Sequence, residues 1–415
     1  STTTLAAACG GGNNGSNPGG QGGSASGGRS GSGGAGGSRS GGSGGSAAGG
    51  NAGTGGGATG GTTGAGGVGP GGSGGGGAAT GGSTGSGGSS DAGGSDAGGD
   101  ARETGGAPDA MTTAAATLPA GSPCVPGMTY GDPLPTNRQP MVVKDGFSFL
   151  EGPVWVAAQN ALYFSDFTLS AANGLPGRMH KYTPATDAIE VFLPTPATNG
   201  LALDAAGKIV AASHENQKLI RIDPVSKQIT DVVGGGTFMG MPFNCLNDLV
   251  LRNDGNLYFT DPSYQNGGRP GQGTTAYYRM NPAGMVTRIA MRAQPNGISL
   301  SPDGKFLYVS SAEGGGIKRH AVNEDGSLGP ATDFFNGISD GMAIDCGGNV
   351  YLNASNRVQV IAPSGQSLAT LMGFSAANGN FVTNAAFGGP ERKTLYITTA
   401  KILYRLEMNI PGLPN

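Results

Sequence analysis

Six times from Glu151 to the C-terminus, a polar residue leads a short apolar run, a turn follows, and a second apolar run returns. The copies open at Glu151-Gly152-Pro153-Val154-Trp155, Asn199-Gly200-Leu201, Asn247-Asp248-Leu249, Asn296-Gly297-Ile298, Asp340-Gly341-Met342 and Asn384-Ala385-Ala386. Their lead residues stand 48, 48, 49, 44 and 44 positions apart, with turns near Gly207, Gly255, Gly304 and Gly348. The returning runs, among them Leu162-Tyr163-Phe164, Leu257-Tyr258-Phe259, Leu307-Tyr308-Val309 and Leu395-Tyr396-Ile397, read as strands. Short strands repeating every 40–50 residues or so are the mark of a β-propeller with one four-stranded blade per repeat. The pattern therefore predicts an all-β, six-bladed β-propeller over residues 140–412. Closing such a ring joins its first and last blades, because exposed strand edges invite pairing with other chains. Met141-Val142-Val143 is short, apolar and β-branched, and is expected to supply the outer strand of the last blade. The competing arrangement makes the strand around Leu403–Arg405 the outermost one.

Rotational symmetry turns these positions into geometry. Equivalent lead residues would converge on the axis as a ring of Glu151, Asn199, Asn247, Asn296, Asp340 and Asn384, two carboxylates and four amides without a Lys or Arg among them. Buried carboxylates need compensation. An all-oxygen donor set in a wide cage suits a hard divalent cation, Ca²⁺ before Mg²⁺. Asn and Asp also begin turns for purely local reasons, but six in register favour the ring.

These motifs resemble those of the gluconolactonase/regucalcin (senescence marker protein 30) family, relatives of paraoxonase and diisopropyl fluorophosphatase. The resemblance rests on Glu-Gly-Pro-Val-Trp at 151–155, on Asn247-Asp248 followed by Tyr258-Phe259-Thr260-Asp261-Pro262, and on Pro295-Asn296-Gly297-Ile298 before Ser301-Pro302-Asp303-Gly304. Asp340-Gly341-Met342-Ala343 and Thr383-Asn384-Ala385-Ala386-Phe387 complete it, so that it spans residues 140–412. It implies Glu151, Asn247, Asn296 and Asp340 as ligands of a divalent metal, commonly Ca²⁺, and leaves Asn199 and Asn384 to contact axial water or substrate. It also implies Asp340 as the base that activates water. His214, near the mouth of the site in similar proteins, is the other candidate base, with an unperturbed pKa near 6.5. One departure stands out. Where the regucalcin branch has an Arg two positions before Asn247, this chain has Cys245, so the fork that would clamp an acidic sugar is missing there. Cys245 itself reads as a small buried filler rather than a nucleophile.

Composition divides the chain at about residue 110. The first 110 residues hold 48 of the 84 glycines, no aromatic residue, and only Leu5 and Val68 among Leu, Val and Ile. Such a segment cannot bury enough apolar surface to offset its entropy, and is expected to be a disordered tether. Residues 111–139 would be a strap or linker. Leu5-Ala6-Ala7-Ala8-Cys9 resembles a bacterial lipobox, although Leu5 lies one position too far upstream, which makes Cys9 a candidate lipid anchor. Export, to a periplasmic or cell-surface location, is the matching expectation. No apolar stretch reaches the 18 or so residues that a membrane-spanning helix needs. The balance of 24 Lys plus Arg against 27 Asp plus Glu gives no reason to expect nucleic-acid binding. With Cys9 set aside, Cys124, Cys245 and Cys346 allow at most one internal disulfide; Cys124 could staple the strap to the propeller. His180, His320 and Trp155 read as structural.

The expected activity is a calcium-dependent lactonase, monomeric, in which the cation polarises the lactone carbonyl and activates water. The rival readings are an arylesterase or phosphotriesterase of the paraoxonase type acting on an ester substrate, and a non-catalytic surface-binding propeller.

Overall fold

The computed structural model describes residues 122–167 and 177–413. The expected tether over 1–110, Cys9 and residues 111–121 of the strap lie outside them. The described residues form six four-stranded antiparallel sheets, with one further two-stranded hairpin and no α-helix. The innermost strands are Leu150–Val156, Thr198–Leu203, Leu249–Leu251, Pro295–Leu300, Met342–Ile344 and Val382–Gly388, one for each blade in chain order. The six-bladed propeller is therefore the fold.

Burial follows the distance from the axis. Every residue of Leu150–Val156, Pro295–Leu300 and Val382–Gly388 is buried, whereas the rim strands Ile229–Asp231 and Val286–Met291 contain no fully buried residue. Past their lead residues, the inner strands accordingly read as runs of apolar and small residues, covered on both faces by neighbouring blades. Those faces pack in pairs. Ala202, Val210 and Leu219 of blade two meet Leu249, Phe259 and Tyr278 of blade three in one cluster. Trp155 of blade one stacks on Tyr396 of blade six, ring centres 5.8 Å apart and 9° from parallel. Burying such large side chains contributes about 1.5–3 kcal/mol each, which makes blade-to-blade contacts the main source of cohesion.

The turns leaving the inner strands close by matching hydrogen bonds, Gly207 N to Asp204 O, Gly255 N to Arg252 O, Gly304 N to Ser301 O and Gly348 N to Asp345 O. All four glycines have φ between 64° and 86°, the left-handed region in which a side chain is strained.

Closure follows the expected route. Met141–Asp145 pairs antiparallel with Ile402–Glu407, Met141 opposite Arg405, and is the outer strand of blade six. The strand containing Leu403–Arg405 is therefore not the edge. Residues 122–139 precede this strand and carry a disulfide from Cys124 to Cys346 of blade five, 222 positions away. The C-terminal residues meet the same strap, for Asn409 N–H donates to Pro133 O at 3.1 Å and its Nδ2 to Leu134 O at 2.6 Å. The histidines expected to be structural are so. His320 lies between Tyr277 Oη and Gly329 O, both at 2.7 Å, and His180 Nε2 is 3.3 Å from Asp166 Oδ2.

Candidate active site

All six lead residues are buried, each 1–4 % exposed. Each sits at or just before the start of an inner strand, and in five of the six blades a local irregularity aims it. The register slips between Glu151 and Val154, Thr198 and Leu201, Pro295 and Ile298, and Val382 and Asn384. In blade three, Asn247 N–H donates to Thr260 O while Thr260 N–H donates to Asp248 O, so that two residues face one. Bulges of this kind break the two-residue alternation and re-aim side chains.

Hydrogen bonds then stitch neighbouring blades into a ring around the axis. Ser165 Oγ reaches Asn199 O, Gly200 N reaches Asn247 O, Gly297 N reaches Asp340 O, Gly341 N reaches Thr383 O, and Thr383 Oγ1 reaches Leu150 O, all at 2.7–2.8 Å. Between blades three and four, Ile298 N–H donates to the Asp248 carboxylate. The glycines after the leads are required by this closeness. A Cβ on Gly341 would stand 2.0 Å from Asn384 Cγ, and one on Gly152 2.1 Å from Asn199 O.

The electrostatics centre on three carboxylates rather than two. Glu151 is held well above the usual carboxylate range by burial, then by repulsion from Asp340 and Asp248; hydrogen bonds from Gly152 N–H and Asn384 act the other way. Asp340 is raised by burial and by Asp248, against a hydrogen bond from Asn296. Asp248, which the one-lead-per-blade reading passed over, is buried and pushed up to about 7 by burial, against hydrogen bonds from Leu249 N–H, Ile298 N–H and Asn384. Among the described residues, no Lys, Arg or His lies within ion-pair distance of any of the three.

This donor set fits a hard cation. Unpaired carboxylates with amide oxygens are the surroundings such an ion compensates. Among the described residues, no three His, Cys, Asp or Glu side chains are arranged to hold a metal. A cation on Glu151, Asn247, Asn296 and Asp340 would therefore draw half its side-chain donors from amides. Beneath the ring a cavity of ≈ 10 Å³ touches Gly152, Asp248 and Asn384, and Leu201, Val250, Ile298 and Met342 close it with apolar side chains. That is about the room of one water. A larger cavity of ≈ 400 Å³ lies instead against the strap and the 301–305 turn, at the opposite ends of the inner strands.

The remaining candidates are placed as follows. Asn384 gives its amide to the carboxylates, Nδ2 to Glu151 Oε2 at 3.3 Å, while Oδ1 accepts from Ala385 N–H at 2.8 Å. Its geometry is that of a group orienting the acids. Asn199 Nδ2 donates to Gln265 Oε1 at 3.2 Å. His214 differs from its sequence expectation. It is 4 % exposed, 4.7 Å from the Phe167 ring, and its pKa is lowered to about 3 by burial and then by Arg269. A neutral imidazole this hard to protonate is a weak base near pH 7. Cys245 is fully buried, and burial pushes its thiol up, as an inert filler requires. Sequence reasoning also missed Gln265 and Arg269, in a non-periodic loop that carried no signal beyond its length.

Residues 149–401 match the family described as SMP-30/Gluconolactonase/LRE-like region. The chain is 29 % identical over 304 residues to a gluconolactonase of Zymomonas mobilis, covering 65 % of this chain and 82 % of that one. It is 26 % identical over 258 residues to the pentonolactonase XacC of Haloferax volcanii, covering 60 % and 81 %. Among solved structures, a gluconolactonase of Xanthomonas campestris superposes with a TM-score of 0.57 at 27 % identity, over 68 % of this chain and 99 % of that one. A regucalcin of Agrobacterium tumefaciens, TM-score 0.54 over 66 % of this chain and 95 % of that one, is 19 % identical and speaks for the fold alone. With its motifs, six blades and axial ring in agreement with that match, the chain belongs to the SMP-30/gluconolactonase/LRE-like family.

Proposed function

We propose that this protein hydrolyses lactones at the axial ring, with a divalent cation, Ca²⁺ by donor chemistry, held by Glu151, Asn247, Asn296 and Asp340. The observation that carries this reading is the buried, unpaired trio of Glu151, Asp248 and Asp340 among amides; the lactonases among its relatives support the substrate class. When bound, the cation supplies Lewis-acid polarisation of an acyl oxygen. Asp340 accepts the proton of the attacking water as the acyl carbon–oxygen bond forms. It returns that proton to the ring oxygen as the acyl–oxygen bond breaks, releasing a hydroxy acid. A bound cation lowers the pKa of Asp340 while burial and Asp248 raise it, and these opposing effects keep the carboxylate able to exchange a proton. Asn384 and the Gly152 N–H orient Glu151. Asn199, held by Gln265 Oε1, offers the substrate a contact from the ring.

The Cys124–Cys346 disulfide supports an oxidising compartment, in keeping with export to the periplasm or cell surface and with Cys9 as the point of lipid attachment. The test is a substrate panel of aldono-, aliphatic and aryl lactones with paraoxon alongside, assayed before and after chelation. Lactone opening that chelation abolishes and Ca²⁺ restores is expected. Turnover of paraoxon without lactone turnover would replace this reading with a phosphotriesterase.

A further inference from the structure

The blade-three loop 262–275 joins strands Leu257–Asp261 and Ala276–Met280 at the end of the propeller where the ring lies. It has 14 residues, where the corresponding connections of blades two, four, five and six run 214–217, 312–316, 355–356 and 400–401. It is also pinned in place. Gln217 Nε2 donates to Pro270 O at 2.6 Å and to Phe243 O at 2.6 Å, and Asn266 Nδ2 to Asn244 O at 3.2 Å. A Cβ on Gly271 would stand 2.6 Å from Asn244 Oδ1, so the loop packs tightly against the segment leading to Asn247. Gln265 carries it to the axis, for its Oε1 accepts from Asn199 Nδ2 at 3.2 Å and lies 3.8 Å from Cys245 Sγ.

Arg269 is the charge in this wall, and its guanidinium is held by neutral acceptors. Nε donates to Asn266 O at 2.7 Å, Nη2 to Gln265 O at 3.2 Å and to His214 O at 3.3 Å, and Nη1 to Glu215 O. Of the five N–H donors of a guanidinium, one on Nη1 is left over. Among the described residues, no carboxylate lies within ion-pair distance of Arg269; Glu215 meets it only through its backbone carbonyl, its Oε1 standing 3.9 Å from His214 Nε2. A half-buried, rigidly presented cation with a spare donor, two hydrogen bonds from axial Asn199, is poised for an anion brought by a ligand.

We propose that Arg269 sets substrate specificity, favouring lactones that carry an anionic substituent toward the wall between blades two and three. This rests on the lactone-hydrolase reading above. The test on the full-length protein uses a matched pair, an aldono-1,4-lactone and the aldaro-1,4-lactone of the same sugar, identical except that a carboxylate replaces the terminal hydroxymethyl group. Wild type should prefer the aldarolactone by about tenfold in kcat/KM, the scale of one charge-assisted hydrogen bond. In Arg269→Gln that ratio should fall to about one, chiefly through KM of the charged lactone. Arg269→Lys, which keeps the charge but not the fork, should retain a measurable preference. An unchanged ratio in Arg269→Gln, whether both rates hold or fall together, would show a merely structural wall and overturn the proposal. Calorimetric binding of the open-chain aldarate and aldonate separates this inference from its parent. If wild type opens neither these lactones nor the aliphatic and aryl ones, the hydrolase reading falls. An aldarate preference that vanishes in Arg269→Gln then still supports the anion site, and equal binding of the two acids to wild type removes it.

Discussion

Breaking the Cys124–Cys346 disulfide should destabilise the whole ring rather than the strap alone. The bond spans 222 positions and anchors the segment that leads into Met141–Asp145, the strand closing blade six. In the chain-entropy account, a cross-link over a loop of that length stabilises by about 5 kcal/mol, with about 2–4 kcal/mol typical of measured cases. Unfolding entropy near 2.1 cal/mol/K per residue, over the roughly 290 residues from 122 to 413, amounts to about 0.6 kcal/mol/K. A loss of about 3–5 kcal/mol therefore lowers Tm by about 5–8 °C. The assay is thermal unfolding by circular dichroism of wild type with and without dithiothreitol, beside Cys124→Ala and the Cys124→Ala/Cys346→Ala pair. All three perturbations should give the same shift, because each removes the same cross-link. A Tm that stays in place would show that the hydrogen bonds of Asn409 to Asp132, Pro133 and Leu134 hold the strap without it.

Two further outcomes follow from the axis. Burial pushes the Asp248 carboxyl from its ordinary 3.8 up to about 7 in the folded protein, so between those values the folded protein binds the extra proton and stability falls as pH rises. In chelated protein, Asp248→Asn should flatten that decline between about pH 4 and 7 by up to about 1.4 kcal/mol per pH unit; parallel curves for the two proteins would refute the assignment. His214, lowered to about 3, contributes the opposite slope between about pH 3 and 6.5 in both proteins, so it cancels in the comparison. Gly341→Ala should cost about 1–3 kcal/mol and weaken activity, because its Cβ meets an Asn384 amide already committed to Glu151. Gly131→Ala, with open space around it, should stay within about 0.5 kcal/mol of wild type. Equal stability of the two variants would contradict the crowding at the axis.

What could be read from the sequence was what repeats. Blade number, the register of the six leads and the closing strand at 141–143 all follow from period and apolar pattern, because each blade obeys the same packing constraint. Asp248 escaped because strict alternation sends the neighbour of a lead to the other face. The bulge opposite Thr260 removes that alternation, and no periodic signal announces a bulge. The state of His214 was illegible for a different reason. Its low pKa comes from desolvation and from Arg269, a residue 55 positions away on another blade. The disulfide partner of Cys124 likewise depends on where an irregular strap crosses the propeller. The Gln265–Arg269 wall belongs to a loop whose sequence has no pattern to extrapolate.

The most direct test of the account is a calcium titration of chelated wild type and Glu151→Gln by calorimetry, with lactone hydrolysis followed in the same samples. The account predicts one divalent cation per wild-type chain, activity that returns in step with its binding, and joint loss of affinity and turnover in Glu151→Gln. Undiminished calcium affinity in Glu151→Gln, or full turnover by chelated wild type, would contradict it.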